Sequence, residues 1–167
     1  MPSSRVAKDL NNGTYFLTLV VYRWYYLFDR YGRWDILAKS LNYCNKFKQL
    51  KLYSFVFMLN HIHLIVASPD VAGFLCDFKK YTSKELKKNI IQTEPNILKL
   101  FTYKGMQYHF WQKTNMPKYI ETDDFLQQKL DYIHDNPVVK NYVMRPEDWY
   151  WSSANPNCEL AVESVED

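Results

Sequence analysis

Apolar and polar positions divide the chain into strands and helices before any chemistry is considered. TYFLTLVVYRW (residues 14–24) is rich in β-branched and aromatic residues and predicts a strand. DILAKSLNYCNKFKQL (residues 35–50) sets Ile36, Leu37, Leu41, Cys44 and Phe47 roughly on one helical face, opened by an Asp35 cap. LYSFVFML (52–59) and HIHLIVA (61–67) predict two more strands parted only by Asn60, or one long strand kinked there. SPD (68–70) stops that strand and starts a helix over 71–90, with Phe74, Leu75, Phe78 and Leu86 inward and lysines outward. Residues 92–104 look irregular, and 106–122 mix strand propensity with breakers around one short strand. Thr122 then caps a helix over 123–136, whose two leading acids suit the helix dipole, and Pro137 ends or kinks it. Strand–helix–strand–strand–helix–strand–helix is a split β-α-β order. It predicts an α+β ferredoxin-like sandwich, an antiparallel sheet with helices packed mainly on one face.

At 167 residues the chain reads as a single domain over 1–167, large enough for a real core, with flexible ends over 1–12 and 157–167. A net charge of +3 permits nucleic acid without demanding it. The aromatic share of 17% is high, and aromatics can stack on unpaired bases as well as fill a core. Cys44, Cys76 and Cys158 are odd in number and form no CxxC, which argues against a disulfide framework or a thiolate zinc site. No signal peptide or membrane-length apolar run is visible. A soluble cytoplasmic protein is the expectation.

The candidate chemistry begins with His61 and His63. In an extended strand they project to the same face, either as two core-edge imidazoles or as a pair of ligands aimed at one ion. Two ligands hold a catalytic ion poorly, so a third is needed. LDYIHDNP (130–137) offers Tyr132 and Asn136, four apart and so on one helical face. That face, shared with Phe125, is expected to point towards the body, with His134 nearly opposite. Tyr132 and Asn136 are then either a core tyrosine and a helix-ending amide, or a nucleophile and a ligand facing the histidines. Tyr81 is the rival nucleophile, standing among lysines with no amide or well-suited acid four residues on. Lys79, Lys80, Lys84, Lys87 and Lys88 form either a solvated helix face or a phosphate-contacting DNA surface.

NHIHLIV resembles the histidine–hydrophobic–histidine (HUH) signature, carried on a central strand, of single-tyrosine transposases. FWQKTNMPKYIETDDFLQQKLDYIHDNPVVKNYV followed by PEDWYWSS resembles the downstream half of the REP-associated tyrosine transposases and their insertion-sequence relatives. The resemblance runs from the first strand to about Ser153. It implies that His61 and His63 bind a divalent ion, Mg2+ or Mn2+, that Asn136 adds an amide ligand, and that Tyr132 is the nucleophile. It also implies nicking and rejoining of hairpin-containing single-stranded DNA through a 5′-phosphotyrosine link. The chain departs from the family in having Leu59 before Asn60, where proline is frequent, and Asn141 where glycine is common. Two other readings stand beside this one. One is a domesticated DNA-binding protein without turnover; the other is a metal-dependent hydrolase in which Tyr132 is structural. Family relatives act either as monomers or as homodimers that exchange the tyrosine helix, so both states are open. When bound to DNA the protein would be associated with the nucleoid.

Overall fold

A computed structural model describes residues 12–103 and 107–165. Four strands form one antiparallel sheet: β1 (Gly13–Val20), β2 (Lys51–Phe57), β3 (His61–Ser68) and a short strand, Lys118–Tyr119, which is the sixth in the chain. Between them in sequence lies a separate two-stranded ribbon of β4 (Thr102–Tyr103) and β5 (Gln107–Tyr108), so the short sheet strand is β6. The sheet order is β2-β3-β1-β6, which makes β3 central and places the histidine pair in the middle of the sheet. The expected α+β sandwich and the central position of the pair are both present.

Each β-α-β crossover carries its helix over the same face, as the handedness of such units requires. α1 (Arg33–Phe47) and α2 (Val71–Thr93) therefore pack together. Their Leu37, Leu41, Phe74, Phe78 and Leu86 close the main core over Leu17, Leu19, Ile62, Leu64 and Val66 of the sheet. α3 (Asp123–Val139) follows the last strand and lies on the other face, against β2 and β3. A second, smaller cluster forms there from Phe16, Val56, Met58, Ile65 and Ile133. Strand alternation sends β3's even-numbered residues to the large core and its odd-numbered ones to α3. His61 and His63 face α3.

Several local expectations are refined. α1 starts two residues before Asp35, behind Gly32 in the left-handed region (φ 69°), so Asp35 sits in the first turn and is not the cap. The long-strand reading of residues 52–67 is corrected to a hairpin: Met58 N–H donates to the His61 carbonyl at 2.8 Å, leaving Leu59 and Asn60 as a two-residue turn. The segment read as irregular holds a 3-10 helix over Pro95–Phe101. Asp70 and Thr122 cap their helices, accepting from Gly73 N (2.8 Å) and Phe125 N (3.1 Å). Pro137 lies inside the final turn of α3, which runs on to Val139. Asn141 adopts φ 61°, the left-handed conformation its place in a glycine-favoured position requires.

The C-terminal segment covers β2, an edge strand. Phe57 N–H donates to the Trp151 carbonyl (2.8 Å), Ser153 N–H to Phe55 (3.0 Å), and Trp149 Nε1 to the Phe57 carbonyl (2.9 Å). These bonds satisfy backbone groups that an edge would otherwise expose. Within 157–167, expected to be loose, Leu160 is buried in the main core and Glu163 N–H donates to the Leu52 carbonyl at 2.8 Å. Residues 1–11, part of the other end expected to be flexible, lie outside the described residues. Among the described residues no helix is long and apolar enough to cross a membrane.

Candidate active site

His63 is held from three sides. Its Nδ1 is 3.0 Å from Thr18 Oγ1, its ring stacks on Phe16 at 5.4 Å between centroids, and His61 crosses it edge-on at 4.9 Å. Thr18 reaches it because the β1–β3 register pairs Thr18 with His63. His61 Nδ1 is 2.7 Å from Asn60 Oδ1, an oxygen that only accepts, so Nδ1 carries the proton and Nε2 the lone pair. Fixing one ring nitrogen on an oxygen while the other stays free is how protein metal ligands are oriented.

Burial pushes the His61 imidazole down to about 4, with Lys140 adding repulsion, and pushes His63 down to about 3, helped by His61 and then Lys129. Both rings are therefore neutral near pH 7, the form in which imidazole binds metal. An unfolded histidine titrates near 6.5, so between that pH and the folded values the unfolded chain binds protons that the folded one refuses. Stability should fall as pH drops from about 6.5 towards 4, by on the order of 2 kcal/mol for each histidine. Urea midpoints measured at pH 7 and near 4.5 check this. A His61→Phe, His63→Phe double variant should lose most of the slope in that window.

Tyr132 stands over this pair. Its ring meets His63 at 5.2 Å (74°) and Phe16 at 5.8 Å (80°), and it remains about half exposed. Asn136, one turn further along α3, is buried. The expected face is met at Asn136 and shifted at Tyr132. The residues that α3 packs inward are Leu126, Leu130, Ile133, Asn136 and Pro137, while Phe125 and Tyr132 lie on its shoulder. The shoulder position leaves Tyr132 anchored on one side and open to solvent on the other.

His63 Nε2 and Asn136 Oδ1 are both shut off from water with no hydrogen-bond partner. Buried polar atoms are nearly always satisfied, so such orphans ask for a missing partner. A nitrogen lone pair and an amide oxygen are both donors that a divalent cation accepts, so these residues fit one. The site is not a conventional acidic one: among the described residues no group of three His, Cys, Asp or Glu could hold a metal.

The other sequence candidates lie elsewhere. Tyr81 is exposed on α2, in the helical layer across the sheet, beside a groove of about 520 Å³ with Tyr43, Lys48 and Asp77. Lys80, Lys84, Lys87 and Lys88 are exposed on that same layer and are not brought to the histidines. Lys79 is turned inward, donating to the carbonyls of Gln112 (2.9 Å) and Lys113 (3.4 Å), so it is not a free surface cation. The charge at the site comes instead from Lys129. Its Nζ lies 4.8 Å from the Phe16 ring and 5.3 Å from that of Tyr132. Its place three residues before Tyr132, on a neighbouring helical position, was a readable signal.

His134 belongs to the fold. Its Nε2 is 2.9 Å from Ser153 Oγ, which is itself 2.9 Å from Ser54 Oγ and accepts from Phe55 N at 3.1 Å. The histidine thus ties α3 to the C-terminal segment. His134→Ala should lower stability by about 1–2 kcal/mol in a denaturant titration and leave any DNA chemistry in place.

No family model and no curated protein matches the sequence. Among solved structures, the chain is similar to a REP-associated tyrosine transposase bound to a REP hairpin. The TM-score is 0.66 at 18% identity, over 94% of this chain and 90% of the other. The chain shares the fold of that transposase. Within this fold the central-strand His63 and the helix-borne Tyr132 meet.

Proposed function

We propose that the protein is a metal-dependent transposase or endonuclease that nicks and rejoins hairpin-containing single-stranded DNA, with Tyr132 as nucleophile. The observation that carries this reading is the 5.2 Å approach of the Tyr132 ring to His63, whose Nε2 is an orphaned ligand atom. Likeness to a hairpin-bound transposase supports the choice of substrate.

In this reading Tyr132 Oη attacks the scissile phosphorus. The Oη–P bond forms, the bond from phosphorus to the 3′-oxygen breaks, the phenol proton is lost and the leaving oxygen gains one. The products are a 5′-phosphotyrosine and a free 3′-hydroxyl, and the reverse attack rejoins strands without an external energy source. His61, His63 and Asn136 would hold Mg2+ or Mn2+, whose bound charge polarises the phosphoryl group. Asn60 fixes the His61 tautomer, and Thr18 holds the His63 ring in place. Lys129 brings positive charge to the ring of the nucleophile, where phosphoryl oxygens gather charge in the transition state. Phe16 seats Tyr132 and His63 together. In this reading Tyr132 acts with the histidines of its own chain, an arrangement supported by the contact of its ring with His63. Action on DNA in the cytoplasm follows from the same reading.

The test is incubation with end-labelled single-stranded hairpin DNA and Mn2+, followed by a denaturing gel. A covalent protein–DNA band is expected from the wild type and from Tyr81→Phe, and none from Tyr132→Phe. Cleavage without a band would indicate a hydrolase. Hairpin binding with neither product would indicate a DNA-binding protein without turnover.

A further inference from the structure

Trp24 is the least explained residue beside the site. It is 52% exposed, and it sits in the left-handed backbone region (φ 57°) directly after Arg23, which does the same (φ 61°). Two successive bulky residues at positive φ are disfavoured, and such strain persists only where neighbours enforce it. The enforcement is visible on both sides. Val21 N–H donates to the Asn60 carbonyl (2.9 Å), Tyr22 N–H to Phe110 (2.8 Å) and Trp24 N–H to Val21 (2.8 Å). Asn60 Nδ2 donates to the Trp24 carbonyl at 3.1 Å.

That same Asn60 side chain accepts from His61 Nδ1. One amide therefore sets both the histidine tautomer and the position of the strained turn. The indole reaches His61 at 6.1 Å and crosses it edge-on (61°), so it does not lie flat on the imidazole. Arg23 is exposed next to it.

We propose that Trp24 is a stacking platform for an unpaired nucleobase, that of a nucleotide flanking the scissile phosphate. The inference rests on reading the histidine–tyrosine site as one for single-stranded DNA. A base stands one sugar away from its phosphate, and the indole, in edge contact with His61 at 6.1 Å, is within that reach of a phosphate held at the histidines. Burial does not explain a half-exposed tryptophan held in a costly conformation, whereas presentation of its face does. Stacking on an aromatic face tolerates any base, and an adjacent arginine can meet the backbone phosphate. The platform would fix the strand's register over Tyr132.

Fluorescence anisotropy tests this with a labelled DNA hairpin carrying a single-stranded dT flank. The full-length protein is used in a Tyr132→Phe background with Mn2+ present. Trp24→Ala should weaken binding about ten-fold, the scale of one base–aromatic stack, while Trp24→Phe retains most of it. An abasic spacer scanned along the flank should weaken binding of the Trp24 protein similarly at one position, and should add little in Trp24→Ala. Trp24→Gly relieves the positive φ, so it should bind as weakly as the alanine variant yet melt at a higher temperature. Unchanged binding by Trp24→Ala, purely additive abasic effects, or a lowered melting temperature in Trp24→Gly would each overturn the platform. The two proposals separate cleanly. An uncoupled Trp24 alongside a normal covalent band on wild-type protein removes the platform and leaves the transposase. Coupling at one flank position without any covalent band removes the transposase and leaves the platform.

Discussion

Asn136→Leu is expected to make the metal-free protein more stable and, in the same step, to stop it nicking DNA. Asn136 is buried, and its Oδ1 has no partner among the described residues. An unsatisfied buried acceptor costs roughly 1–3 kcal/mol, and leucine of similar size removes it while adding apolar contact beside Ile133. A gain of about 1 kcal/mol corresponds to a rise of roughly 2–4 °C in Tm for a domain of this size. With Mn2+ the order should reverse. A ligand that binds only the folded state stabilises by mass action, about 2.7 kcal/mol at a hundred times its Kd, so the wild type should gain and the variant should gain less. Thermal melts of both proteins with and without Mn2+ check the pair of effects. An asparagine kept for packing would give the opposite pattern, a less stable variant with an unaltered metal response. His63→Ala should also lose the metal response, since its Nε2 is the other orphan.

Tyr132→Phe carries the largest expected effect on activity. The substitution removes one oxygen from a half-exposed ring and keeps the contacts with Phe16 and His63, so the fold should be unchanged within about 0.5 kcal/mol. Affinity for hairpin DNA should likewise hold, because the hydroxyl is needed for the chemical step and not for seating the strand. Adduct formation should fall by at least about a thousand-fold, the order seen when a covalent nucleophile is deleted. Denaturing gels and anisotropy on the same preparation separate the two quantities. Parallel loss of binding and adduct would move Tyr132 from nucleophile to DNA contact.

Much of this arrangement was legible along the chain. The alternation in MLNHIHLIV put His61 and His63 on one face, and the family resemblance implied the central strand that the sheet order bears out. The residues at 132 and 136 were readable as a pair because a helix repeats every four positions. Asn136 is buried as that face predicts, whereas Tyr132 stands half exposed at the border of the inward stripe of Leu126, Leu130, Ile133 and Pro137. A residue that must meet both a core histidine and a substrate belongs on the border of the buried stripe, not in it.

What stayed hidden depends on strand register and layer. Thr18 is forty-five positions from His63 and becomes its partner only through the β1–β3 pairing. Trp24 enters through a hydrogen bond to Asn60, across thirty-six positions. The lysine run on α2 could be read as a solvated face or a phosphate-contacting one, and crossover topology carries that helix to the face of the sheet opposite the histidines. Periodicity tells which way a side chain points from its own element. It does not tell which layer the element joins.

Mass spectrometry of the protein, digested after reaction with hairpin DNA and Mn2+, identifies the nucleophile. One modified peptide is expected, containing Tyr132 and heavier by a nucleotide joined through its 5′-phosphate. A modified peptide containing Tyr81 instead, or cleaved DNA with every tyrosine unmodified, would contradict Tyr132 as that nucleophile.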